Sequence, residues 1–316
     1  MKPRWKTILR RTLITSVVLW LLAVLFAHPF FAVVEPSGSK VLVAEGWMHT
    51  EGLKEAAKLF ARNGYERMCI TGPPRPFAYY LAVGDTIEVR FAEPTTAALI
   101  IGTAGLPGAS WQVQLDSIPF ITTAVNGAMT DTELKLNRVG TARITATSPD
   151  PPASGEPVLF IGSLLVAGKN AHLINATIRI RRADGSTVEG QPTFAHQAYY
   201  ILQNLGVPPD RMTVIPTWVV KDSRTLSTAR DLVAYADVNG ITSFDVATLG
   251  VHARRTRNMY RKARGTDAGI GIIALQDKWC QRWTWWTNYY GWYQVLKESV
   301  ALPAPWLIDD STEARK

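Results

Sequence analysis

The stretch Phe244–Ala263, FDVATLGVHARRTRNMYRKA, decides how the chain is read. A short apolar run, Phe244 to Leu249, passes through one glycine into a segment of helical spacing that opens with a histidine and two adjacent arginines. A strand feeding a helix in this way is half of a parallel βαβ unit. Arg254 and Arg255 then stand in the first turn, where the macrodipole is positive and an exposed cation costs roughly 0.3–1 kcal/mol. That placement calls for something negative nearby. A bound anion is the functional reading, and a salt bridge is the plain one.

The same alternation appears on both sides. KVLVAEGW, TEGLKEAAKLFARNGY and RMCITG read as strand, helix and strand between Lys40 and Gly72. From Thr193 onward, TFAHQAYYILQNLG, DSRTLSTARDLVAYADVNG and AGIGIIAL continue the pattern, and a Trp-rich closing helix ends it. These segments are assigned to one discontinuous α/β domain, residues 40–74 and 191–302. Residues 79–188 are different: short runs such as DTIEVRFA and TELKLNRVGTARITATS alternate strictly between turn residues, which predicts an inserted all-β sandwich. The expected fold class is therefore α/β, a Rossmann-like, mostly parallel sheet with an inserted all-β sandwich and an N-terminal transmembrane helix. An insertion leaving from the carboxyl end of a parallel strand would cap the crevice where open α/β sheets bind ligands.

The formal charge of +8 overstates the basicity of the body, because Lys2, Arg4, Lys6, Arg10 and Arg11 precede the first apolar run. About +3 remains, too little to point to nucleic acid. The run 12–34 lacks formal charge and is long enough to span a bilayer. With residues 1–11 as a cytoplasmic basic head, the positive-inside rule exports the chain from Glu35 onward, whether the run is an uncleaved anchor, the favoured reading, or a cleaved signal peptide. The chain is thus expected at the inner membrane with its domains outside the cytoplasm, and 303–316 is a tail. Cys69 and Cys280 are the only cysteines, and both readings, buried thiols or a bridge, stand.

Four strand-to-helix turns are expected on one sheet edge: AEGWMHT with Glu45 and Gly46, TGPP with Thr71 and Gly72, DSRTLSTA with Ser223, Thr225 and Thr228, and GVHARRTR with His252, Arg254 and Arg255. Hydroxyls, helix N-termini and arginine forks suit a phosphate or carboxylate. Glu45 and His252 are the acid/base candidates. Simple N-capping accounts for one of the residues in DSRTLSTA. No metal set, G-x-S-x-G, Walker or G-x-G-x-x-G motif occurs, so no cofactor is assigned and an oxidoreductase reading lacks its glycine fingerprint.

VAEGW with ITG, QAYYILQNLGVPPDRMTVIP, DSRTLSTARDL and FDVATLGVHARRTRNMYRKA together resemble the YdcF-like proteins, including the SanA and ElyC groups. The resemblance implies a membrane-anchored protein of the bacterial cell envelope, and it points to the same residues from Glu45 to Arg255. Gln197 stands where many such proteins have a glutamate at the start of the second helix. The inserted β region resembles a carbohydrate-binding module of the xylan-binding kind. The expected function is binding of an anionic, phosphorylated or lipid-linked sugar in the α/β crevice, with phosphate-centred hydrolysis or transfer if it is an enzyme. The alternative is a non-catalytic glycan-binding or scaffold protein.

Overall fold

The computed structural model describes residues 3–303, apart from 117, 126, 149–151, 153 and 154. Most of the 303–316 tail and the first two residues of the basic head lie outside the described residues, as does much of the Pro-rich loop 149–157. The chain forms two compact units, residues 1–74 with 193–316 and residues 75–192.

The first unit begins with helix α1, Pro3–Phe31, and a short strand β1, Val34–Glu35. Over Thr7–Phe31, α1 is long and apolar enough to cross a membrane, with a mean hydropathy of 2.1. The transmembrane assignment rests on that length and composition alone. Next come β2, Val41–Glu45, helix α2, Thr50–Arg62, and β3, Arg67–Gly72. Both strands are buried on both faces, as their continuous apolar runs require. His49 caps α2 by accepting from the Gly52 N–H, which places it in a structural role.

The second unit is wholly β: β4 Tyr79–Leu81, β5 Thr86–Thr95, β6 Ala98–Gly105, β7 Ser110–Leu115, β8 Ile118–Ala124, β9 Thr130–Lys135, β10 Val139–Thr147, β11 Leu159–Val166, β12 Lys169–Asn170, β13 Ala176–Arg181 and β14 Thr187–Glu189. Two antiparallel sheets result, ordered β14-β13-β5-β10-β7-β8 and β12-β11-β6-β9, with β4 on β11. Alternation along β10 buries Val139, Ala142, Ile144 and Ala146 around the fully buried Trp111. Period-two patterning sends alternate side chains to one core face.

The first unit resumes with α3 Phe194–Asn204, β15 Met212–Pro216, α4 Arg224–Val238, β16 Phe244–Leu249, α5 Ala253–Arg264, β17 Ile270–Leu275 and α6 Tyr289–Ala301. Its sheet runs β1-β17-β16-β2-β3-β15, with β1 antiparallel at the edge and the other five strands parallel. The chain order reverses between β2 and β16, which opens a crevice at their carboxyl ends.

The expected fold class is corrected by this pairing. Ten of the fourteen strand pairs among the described residues are antiparallel, and two of the three sheets contain no parallel pair. A Rossmann-like, mostly parallel sheet does not describe the chain, because the hairpin-connected strands of residues 75–192 outnumber those joined by helices. A smaller correction concerns the closing helix. It starts only at Tyr289, capped by Asn288, and the run Trp279–Trp286 is turn and one short 3-10 segment.

Candidate functional site

A cavity of about 440 Å³ lies at the carboxyl edge of the parallel strands, lined by Glu45, Trp47, Pro73, Phe194, Ser223, Arg224, Thr225, Thr228, His252, Arg255 and Lys297. Each strand delivers its part. Glu45 is the last residue of β2, Ser223 is the N-cap of α4, and His252 ends a single 3-10 turn between β16 and α5. Six of the ten residues singled out in the sequence line this space: Glu45, Ser223, Thr225, Thr228, His252 and Arg255.

The other four do not line it. Gly46 and Gly72 sit under the first turn of α3. A Cβ on Gly46 would come within 2.5 Å of the Phe194 backbone oxygen, and one on Gly72 within 2.6 Å of the Ala195 nitrogen. Both glycines let the strand ends approach the helix. Thr71 is fully buried beside them, and the Gly46 N–H donates to its carbonyl at 2.6 Å. Arg254 points away altogether: its guanidinium lies 4.1 Å over the Phe30 ring of α1 and donates to the Phe30 carbonyl.

Arg255 has found its anion inside the protein. Its Nε donates to Glu298 Oε2 at 2.7 Å and its Nη2 to Oε1 at 3.2 Å, a fork on a carboxylate that is 0% exposed. His252 Nδ1 is 2.9 Å from Glu298 Oε1, and Arg255 Nη2 is 2.8 Å from the same nitrogen. The expectation that Arg254 and Arg255 together form an anion cup is therefore corrected. One faces α1, and the other is committed to α6.

The electrostatics follow from burial and pairing. Burial alone would push the Glu298 carboxyl up, but hydrogen bonds from His252 and Arg255 outweigh it and hold the pKa at about 2. Glu45 is 1% exposed, with Thr256 Oγ1 donating to its Oε2 at 3.5 Å. Behind it the buried Tyr260 phenol is driven well above its ordinary value, by burial first and by the Glu45 charge second. Trp47 stands edge-on to His252, with ring centres 4.9 Å apart. Arg255 Nη1 also reaches Thr225 Oγ1 at 3.5 Å.

Sequence reading missed Glu298 entirely. It sits forty-three positions after Arg255, in a helix read for its aromatic residues. The signal that could have found it was the arginine pair itself, which requires a carboxylate somewhere. Among the described residues no group of three or more His, Cys, Asp or Glu is placed to hold a metal ion. Cys69 and Cys280 are buried free thiols, and burial pushes the Cys69 pKa up to about 11.

No family model matches the chain, and no curated protein does. The YdcF-like label accordingly gains no support and is dropped as a description of the chain. Among solved structures, a cycloisomaltooligosaccharide glucanotransferase from Paenibacillus sp. is similar at 14% identity and a TM-score of 0.19 over 40% of this chain, which spans only 24% of that protein. A family two carbohydrate esterase from Clostridium thermocellum, in complex with cellohexaose, gives 8% identity and a TM-score of 0.20 over 72% of this chain and 94% of that one. Its counterpart from Cellvibrio japonicus gives 10% and 0.18 over 73% and 92%. Scores this low establish no shared fold.

Proposed function

We propose that the chain is a membrane-associated binding protein whose crevice takes a hydroxyl-rich, glycan-type ligand. The observation that carries this reading is the internal neutralisation of Arg255 by Glu298. With that charge matched, the cavity offers a ligand the hydroxyls of Ser223, Thr225 and Thr228, the carboxylate of Glu45 and the aromatic body of Trp47. A carboxylate and hydroxyls to pair sugar hydroxyls, with an aromatic face for the ring's C–H surface, form a polyol site. Arg224 and Lys297 at the lining would favour a ligand that also carries an anionic group, phosphate or carboxylate. The apolar helix α1 supports membrane association, with the crevice outside the cytoplasm.

A second reading draws on the Glu298–His252 contact. In the tautomer that donates Nδ1–H to Glu298, and not in the one that accepts from Arg255 there, the imidazole is oriented to take a proton at Nε2, and Ser223 and Thr225 line the same space. This supports a phosphate-centred hydrolase or transferase, with Glu45 as the further acid/base group.

Calorimetric titration of the full chain in detergent with short oligosaccharides and with sugar phosphates separates the two. Binding without turnover, weakened about tenfold or more by Trp47→Ala, is the expected result. Turnover lost in His252→Ala would select the second reading. No heat with any of these compounds, in a protein whose Glu298 contacts are intact, would remove both.

A further inference from the structure

We propose that the aromatic segment from Trp279 to Tyr293 is a second membrane contact, running from the outer bilayer interface at the His28 level into the outer leaflet at the Trp20 level beside α1. The inference rests on the membrane-anchor part of the reading above. The segment is bound to the apolar helix at three levels. Trp286 meets Trp20 edge-on with ring centres 5.9 Å apart, Trp285 Nε1 donates to the Val24 carbonyl at 3.2 Å, and His28 Nε2 is 2.9 Å from the Cys280 carbonyl. Phe31, Val251, Cys280, Trp285 and Val295 form a small core of their own around this seam.

Length then decides the depth. The part of α1 below Trp20, Thr7 to Leu19, measures only about 20 Å at 1.5 Å per residue, against a hydrocarbon core of about 30 Å. A bilayer can be crossed only if residues 20–31 lie in it as well. Their outer face agrees, since Leu25, Phe26 and Phe30 are exposed, Phe26 by 63%. Whatever packs against the other face of that stretch shares its layer, and that is the Trp-rich segment.

The segment is built for such a layer. Trp283 (66%) and Tyr289 (85%) are exposed, as are Trp279, Trp286, Tyr290 and Tyr293. Tryptophan and tyrosine concentrate at the membrane interface, where an apolar ring and a polar edge are both served. Two of the segment's indole donors are paired internally, Trp286 Nε1 with the Trp283 carbonyl at 3.2 Å and Trp292 Nε1 with the Trp286 carbonyl at 2.8 Å, which lowers the cost of taking them out of water. The backbone turn is likewise closed, with Trp285 N–H on the Gln281 carbonyl and Thr287 N–H on that of Thr284. Lys278 and Arg282 lie over the rings of Trp279 and Trp283, a position from which long cationic side chains reach lipid phosphates.

The test places an environment-sensitive NBD label at single introduced cysteines of the full chain, reconstituted in phosphatidylcholine–phosphatidylglycerol vesicles. Leu13→Cys reports α1, Tyr289→Cys and Trp283→Cys report the segment, and Asn63→Cys reports the exposed end of α2. The buried native thiols set the labelling background. Labels at 13, 289 and 283 are expected to be quenched by shallow nitroxide lipid and shielded from iodide, with the reverse at 63. Quenching of 13 by lipid, with 289 and 283 as open to iodide as 63, would overturn the second contact and leave the anchor standing. A label at 13 in water would overturn the anchor, and this proposal with it.

Discussion

The two units bury different things. The β unit, residues 75–192, closes on an aliphatic and aromatic core around Trp111, and among its described residues the buried polar or charged side chains are Arg75, Asp85, Thr86, Thr103 and His172. The α/β unit buries Glu45, Thr71, Thr217, Thr228, Asp245, Thr248, Thr256 and Glu298 in the midst of equally apolar strands. Burying such groups is unfavourable unless each finds a partner, and all of them except Asp245 gather toward the carboxyl edge of the sheet, around the proposed site. Asp245 shows how partners are found. It accepts from Ser37 and from the Tyr65 phenol, and so serves the sheet's opposite end as a purely structural acid.

The contrast is broken most severely at Glu298. Glu298→Ala leaves Arg255 and His252 without their carboxylate, and loss of one member of a buried pair costs about 3–5 kcal/mol. Hydrogen exchange should show the loss in α5 and α6 while the amides of β10 keep their protection. Equal loss in both units would mean that the pair is not local in its effect.

Acid should reproduce part of this in the wild type. The Glu298 pKa is depressed in the folded chain, so its contribution is complete above the unfolded value near 4.5 and is lost as pH falls toward about 2. Below 4.5 the unfolded chain accepts a proton that the folded chain refuses. The shift amounts to on the order of 3 kcal/mol across that window. Denaturant midpoints measured from pH 5 to pH 2 should fall for the wild type, and fall less steeply for Glu298→Gln.

Arg254 sharpens the comparison from the other side. Because it stacks on Phe30 outside the cavity, Arg254→Ala should cost about 0.5–1 kcal/mol and leave ligand affinity in the crevice unchanged. Titration of the same ligands against wild type and variant checks this. A loss of affinity would return Arg254 to the site.

These arginines also show where the sequence stops being legible. Apolar runs such as VLVAE, FDVATL and IGIIAL are strands as read, since a parallel strand buried on both faces admits little else. Helix boundaries followed local chemistry equally well: Ser223 caps α4, and Gly265, in the left-handed region at φ 72°, closes α5. The side-chain direction of two adjacent arginines is not local. One turn of α5 sends Arg254 toward α1 and Arg255 toward α6, and neither partner stands near it in the sequence. The Trp-rich segment reads in the sequence as the entry of a helix, which starts only at Tyr289, for a related reason. Its aromatic residues are held by α1, not by a helical period of their own.

The junction of the two units has a consequence for how such a chain tolerates change. Pro74 bridges Thr193, and just beyond it the Arg75 N–H donates to the Pro192 carbonyl at 3.1 Å. Entry and exit of the whole excursion are thus neighbours at the rim of β3. To the α/β unit, the intervening chain is topologically a hairpin whose tip happens to fold. Closing a longer loop adds only about 0.6 kcal/mol per doubling, and a folded insert with its ends already joined adds less. The insert's length is therefore nearly invisible to the unit that carries it, so modules of very different size could be exchanged at this seam without redrawing the parallel sheet.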